Sequence, residues 1–396
     1  MRSIRPLLAA AGLVPVLALA VTACGPGEDT SAGKPAASEP AGGGADGGGG
    51  EQPGAVPGDL ADRLKERGLD VDKWKEGEWR NWDRDTWLRE AKDFVNPVIE
   101  GLWKPERMAT ATAPTRTLAA GDITGDRDVT DPEPAPVRAA PEKTPYHRNA
   151  APVGKVFFDA PEGSMVCSAT VVKDPANPGK SNMVWTAGHC VHAGRSGGWY
   201  RNIAFVPAYN DKGRSPAALE SAPPREVAPY GVYWADWVAT SGGWIDQGGP
   251  SGGTGAAYDY AVMHVKPERG TTSLEETVGA ALDVDFAAPG AKRIGTIGAW
   301  GYPAAPPYDG ALMHKCVDRA GRLSVAPGTP TMWRIGCTMT GGSSGGGWFV
   351  KQPGGKTVLV SNTSIGPVTS GWLAGPRLDE DAEQVYTMMS EKFAGR

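Results

Sequence analysis

The chain is poor in the residues that most metal and redox chemistry needs. Its 396 residues include only five histidines and five cysteines. The histidines stand at 147, 189, 192, 264 and 314, and no H-E-x-x-H pattern joins any of them. A metal centre is therefore not expected, and the close pair in "HCVH" (189–192) is better explained by a disulfide at Cys190 than by a ligand set. No long basic run exists either: 40 basic and 45 acidic residues leave a net charge of -5. That disfavours nucleic acid, which usually calls for a cationic stripe. Beyond one stretch near the start, long apolar runs are also missing. What abounds is glycine, 55 residues in all, so a run such as "GGSSGGG" (341–347) reads first as a flexible spacer.

An odd cysteine count suggests four paired and one special. Met1-Arg2-Ser3-Ile4-Arg5 is basic, and "PLLAAAGLVPVLALAVTA" follows, short and apolar. This reads as a secretory signal peptide over 1–23. The run stops at "VTAC", which resembles the lipobox of bacterial lipoproteins. That resemblance implies cleavage before Cys24, lipid on its thiol and attachment to the outer face of the cell membrane. The other reading is an ordinary cleavage site with Cys24 a free thiol. Either way the chain is expected to be exported, where Cys167, Cys190, Cys316 and Cys337 would form disulfides.

Composition divides the rest. Residues 24–57 are Gly, Ala, Pro, Ser and Glu and are expected to be a disordered tether. Residues 58–104 hold a cluster of tryptophans and a helical spacing of Trp87, Ala91, Phe94, Val95, Val98 and Leu102, consistent with a helical pro-segment or docking segment. Residues 105–150 return to Pro, Ala, Thr and Asp and read as a linker. From 151 onward, short branched or aromatic runs alternate with Gly/Pro/Asn turns: "KVFF", "CSATVV", "RNIAFVPAY", "YAVMHV", "MWRIGC", "TVLVSNTSIG". This pattern predicts an all-β barrel or sandwich. One helix is expected at the end, after Asp379, with Ala382, Val385, Tyr386, Met389 and Phe393 on one face.

Three short segments carry chemistry in chain order. "VWTAGHCVH" (184–192) places His189 just after an apolar strand. "YDYAVMHV" (258–265) puts Asp259 at the head of another. "GGSSGG" sets Ser344 between glycines. A serine hydroxyl needs a neighbouring imidazole to take its proton, and a buried carboxylate to orient and stabilise that imidazole. Glycines beside the serine permit a tight turn and close approach of a substrate backbone. The amides of Gly342 and Ser344 can then face a developing oxyanion. Asp236 and Asp246 compete with Asp259 but lie in a Gly/Trp-rich insertion.

These segments resemble the trypsin-like (chymotrypsin-fold) serine proteases: "TAGHC" the histidine motif, "YDYAV" the aspartate strand, "GGSSGG" the G-x-S-G-G serine motif. "TAGHCV" and "GYP" lean towards the bacterial glutamyl-endopeptidase-like branch. The resemblance covers residues 151–396. It implies two six-stranded antiparallel β-barrels with a C-terminal helix, a triad of His189, Asp259 and Ser344, an oxyanion hole at Gly342 and Ser344, a polypeptide substrate, no cofactor and a monomer. Cys167 would pair with Cys190, and Cys316 with Cys337. Ser343 stands where animal members carry the aspartate of their activation switch, so that switch cannot operate here. Thr338 and Met339 are expected at the base of the specificity pocket, and neither is acidic. No histidine lies beyond His314, which puts glutamate specificity in doubt. Two other functions fit the same fold: a catalytically inactive binding module using the 58–104 and 207–257 regions, and an esterase.

Overall fold

The computed structural model describes residues 96–249, 253–369 and 371–395. The signal peptide, Cys24, the tether and most of the 58–104 segment lie outside the described residues. Two short strands come first, β1 (Thr117–Leu118) and β2 (Ala140–Pro141). Six longer ones follow: β3 (Val153–Ala160), β4 (Gly163–Val172), β5 (Met183–Thr186), β6 (Arg201–Pro207), β7 (Tyr233–Thr240) and β8 (Ala261–Pro267). They close into an antiparallel barrel in the order β3-β4-β5-β8-β7-β6.

Strand periodicity explains the layering. Val156, Phe158, Cys167, Ala169, Val184, Phe205, Ala235 and Met263 form one buried cluster, drawn from all six strands, that fills the barrel. Their neighbours Val153, Phe157, Val166, Met183, Trp185, Ala204, Val206 and Val262 form a second cluster on the outer wall. Successive side chains of a strand face opposite sides, so these strands need cover on both faces. The cover comes partly from Ile99, Leu102, Trp103 and Met108, which join the outer cluster, and partly from Tyr386 and Met389 of the terminal helix Glu380–Lys392 and Phe393 just past its end. Asp379 caps that helix by accepting from the Ala382 amide.

The second half is built differently. Its strands are β9 (Asp283–Val284), β10 (Thr296–Gly301), β11 (His314–Arg319), β12 (Gly321–Leu323), β13 (Met332–Cys337), β14 (Gly347–Lys351), β15 (Thr357–Asn362), β16 (Gly366–Pro367) and β17 (Gly371–Gly375). All but β16 divide between a six-stranded sheet, β2-β11-β10-β14-β15-β9, and a three-stranded sheet, β12-β13-β17, while β16 pairs with β1 in a two-stranded sheet. Ile297, Ala299, Trp348, Val358 and Val360 from the first meet Trp333, Ile335 and Leu373 from the second in one core. A disulfide from Cys316 on β11 to Cys337 on β13 ties the sheets, and the Gly336 amide donates to Asp318 across the same join.

Residues 96–150, a linker by composition from 105 onward, lie as a strap along both halves. Asn96 donates to the carbonyls of Ile203 and Ala235, and Trp103 Nε1 donates to Asn202 O at 2.8 Å. Arg107 pairs with buried Asp159 at 2.8 Å. Further on, Asp131 grips Arg322, the Thr338 amide donates to Val137 O, and Glu142 accepts from Trp300 and Lys315. Pro and Ala give such a segment no period of its own. Its backbone polar groups still find partners along sheet edges.

Candidate active site

His189 sits in a 3-10 turn, Gly188–Cys190, directly after β5. The disulfide Cys167–Cys190 ties that turn to β4, inside the first barrel's core. Asp259 follows the 3-10 segment Thr254–Tyr258 and precedes β8, which pairs with β5, so barrel register brings the two residues together. The contact is two-pronged: the His189 amide donates to Asp259 Oδ1 at 2.8 Å, and His189 Nδ1 donates to Oδ2 at 2.7 Å. That pattern fixes the neutral imidazole with its proton on Nδ1 and its lone pair on Nε2. Among the described residues Nε2 is buried and has no hydrogen-bond partner.

Burial lowers the pKa of His189, and the charge of Arg116 adds to this, while Asp259 opposes it. Asp259 is fully buried. Burial works to raise its carboxyl, but His189, Arg116 and a hydrogen bond from Ser364 outweigh it and hold the group below the usual carboxylate range. Ser364 Oγ donates to Asp259 Oδ2 at 2.5 Å, and Asn362 Nδ2 donates to the Asp259 carbonyl at 3.0 Å.

The same stretch places Ser344. The Gly345 amide donates to Thr363 O at 2.8 Å, one residue before Ser364, and the Ser168 amide donates to Ser344 O at 2.7 Å. Gly342 has φ +93° and Gly345 φ +76°, a region in which a side chain is strained. At Gly345 a Cβ would also lie 2.2 Å from Thr186 Oγ1 and 2.9 Å from the Ala187 amide, so the serine turn sits hard against the end of β5, two residues before His189. The Ser343, Gly345 and Gly346 amides donate to Thr340, Thr363 and Ser343 carbonyls. Those of Gly342 and Ser344 make no hydrogen bond among the described residues. Two donors with unused capacity beside a hydroxyl are what a tetrahedral oxyanion needs.

His189 and Ser344 are not hydrogen-bonded to each other, an arrangement common before substrate compresses the site. The remaining histidines are engaged elsewhere. His192 Nδ1 accepts from the Gly194 amide, and burial drops its pKa to about 4. His264 pairs with Asp236 at 2.6 Å and stacks on Phe393, and His147 pairs with Asp211. Cys167 and Cys190 lie with His189 in a metal-like cluster, but their sulfurs are joined to each other and offer no thiolate.

A cavity of about 250 Å³ adjoins the serine. Met339 lines it, with Ser343, Ser344, Ser364, Gly366 and Trp372, and among the described residues no acidic side chain does. Thr338 is not part of its wall: its hydroxyl donates a hydrogen bond to or accepts one from Tyr308 and accepts from the Ala139 amide, on the strap side of β13. Sequence reasoning missed Ser364 and Arg116. "TSIG" and "TRTL" carry no motif, and only the fold brings them to Asp259.

No protein-family model and no curated protein matches the chain. Solved structures do. A thermostable serine protease, AL20, from an extremophilic microorganism is 32% identical over 61% of this chain and 98% of its own, with a TM-score of 0.50. The protease Anisep from Arthrobacter nicotinovorans is 26% identical over 63% of this chain and 99% of its own, with a TM-score of 0.49.

Proposed function

The chain belongs to the trypsin-like, chymotrypsin-fold serine proteases, and on that premise we propose that it is an endopeptidase in which Ser344 is the nucleophile, His189 the general base and Asp259 the orienting carboxylate. The observation that carries this reading is the buried His189–Asp259 pair with its accepting Nε2 unpartnered. Ser344 Oγ attacks the scissile carbonyl carbon as Nε2 takes its proton. The carbonyl oxygen becomes an oxyanion facing the Gly342 and Ser344 amides. Collapse breaks the C–N bond, and the imidazolium gives its proton to the leaving amine. Water then repeats the sequence on the acyl-enzyme, which releases the acid and restores the serine.

The substrate is a polypeptide met outside the cell. The basic start, apolar run and "VTAC" support export with lipid on Cys24, and the chain acts as a monomer without a cofactor. The acid-free lining of the cavity argues against a preference for cleaving after Arg or Lys. A fluorophosphonate probe tests the reading on the full chain. Covalent labelling at Ser344, lost in His189→Ala, is expected. Ser344 left unlabelled in the full chain, and still unlabelled after Arg116→Ala, would sink the assignment.

A further inference from the structure

The groove that passes Ser344 already holds a piece of this chain. At one end the Thr112 amide donates to Ser164 O at 3.0 Å and the Val166 amide donates to Thr112 O at 2.8 Å. In the middle Pro114 packs on the serine turn, since a Cβ on Gly341 would lie 3.0 Å from its carbonyl oxygen. At the other end β1 forms a parallel ladder with β16, Thr117 opposite Gly366, and the Gly366 amide donates to Arg116 O at 3.2 Å. Leu118 is buried in a cluster with Ile365 and Trp372. Ala113 to Thr117 therefore form one wall of the cavity whose other wall holds Ser343 and Ser344.

Arg116 reaches furthest into the site. It is only 7% exposed. Its Nη1 donates to the Gly249 carbonyl, and its guanidinium lies 4.9 Å from the centre of the Trp244 ring, which itself stands 6.1 Å from the His189 ring. Among the described residues its Nε and Nη2 are buried without partners, a cost that a purely structural arginine seldom carries.

We infer that residues 112–118 are an autoinhibitory strap, an internal ligand that fills the substrate groove and is latched by Arg116 and Leu118. This rests on the reading of Ser344 as nucleophile. The physical grounds are two. Peptide ligands of such grooves bind by adding a strand to a sheet edge, and the Gly366 amide on that edge is already spent on Arg116. Arg116 is also a fixed positive charge that disfavours protonation of His189, whereas catalysis requires the imidazolium to form. Only molecules with the strap released can bind substrate, so apparent affinity falls by the released fraction.

The test compares the full chain with Arg116→Ala and with Leu118→Asn, which loosen the strap at two different anchors. The fluorophosphonate labelling rate of Ser344 and the hydrolysis rate of a casein-derived peptide are measured for each. Both rates should rise by about tenfold or more in each variant. Parent and variants labelling equally fast would overturn the strap and leave the triad standing. No labelling in any form would overturn both, so the two failures are distinguishable.

Discussion

The two halves of the molecule solve the same packing problem in different ways. The first closes on itself through six hydrogen-bonded ladders, and it holds the His189–Asp259 pair at a ladder junction with both groups buried. The second leaves two sheets facing each other, joined by Cys316–Cys337 rather than by a continuous ladder. The serine turn, the cavity and the β16 edge all belong to this looser half. A base that must keep one tautomer benefits from a rigid cage, while a surface that accepts a foreign strand needs an edge left unpaired by its own sheet.

Breaking each half in turn sharpens the contrast. The largest effect should come from the chemistry they share: Ser344→Ala is expected to lower kcat/KM by roughly 10⁴-fold or more with the fold intact by circular dichroism. The join comes next. Replacing both Cys316 and Cys337 by alanine should cost about 3 kcal/mol in chemical denaturation. It should also speed amide exchange in β12, β13 and β17 while leaving β3 to β8 protected, and uniform loss of protection would show that the halves are not separable. Ser364→Ala removes one donor from a buried carboxylate and should lower kcat by about tenfold with KM unchanged.

The smallest effect is electrostatic. Because burial and Arg116 lower the pKa of His189 below the ordinary 6.5, its base form persists to more acid pH, and activity should fall only as pH drops through that lowered value. Arg116→Ala removes one of the lowering causes. Its pH–rate profile should keep its shape while the acid limb moves to higher pH.

Much of this was legible beforehand, and the reasons are physical. The barrel strands announced themselves because residues such as Phe157 and Phe158 are apolar on both faces, a pattern that only doubly covered strands need. His189, Asp259 and Ser344 stood out because each proposed role imposes a local sequence: a glycine-framed serine, a histidine at a strand end, an acid before an apolar run. Arg116 and Ser364 were invisible because their roles come from long-range pairing, which leaves no local trace. Thr338 was expected at the pocket base from the family resemblance, but its side chain meets Tyr308 instead. The strap was missed for a related reason. Extended Pro/Ala/Thr chain has no moment or period, and its order is supplied wholly by the edges it meets.

The burial of Ile99, Leu102, Trp103 and Met108 against the outer wall of the first barrel has a practical corollary. A fragment begun at residue 151, where the β pattern starts, would be stripped of part of its own interior and left with a greasy flank. Maturation by a protease that nicks the exposed stretch between Leu118 and Arg138 would instead yield a two-piece product, with the forward piece still clasped to the body it was cut from.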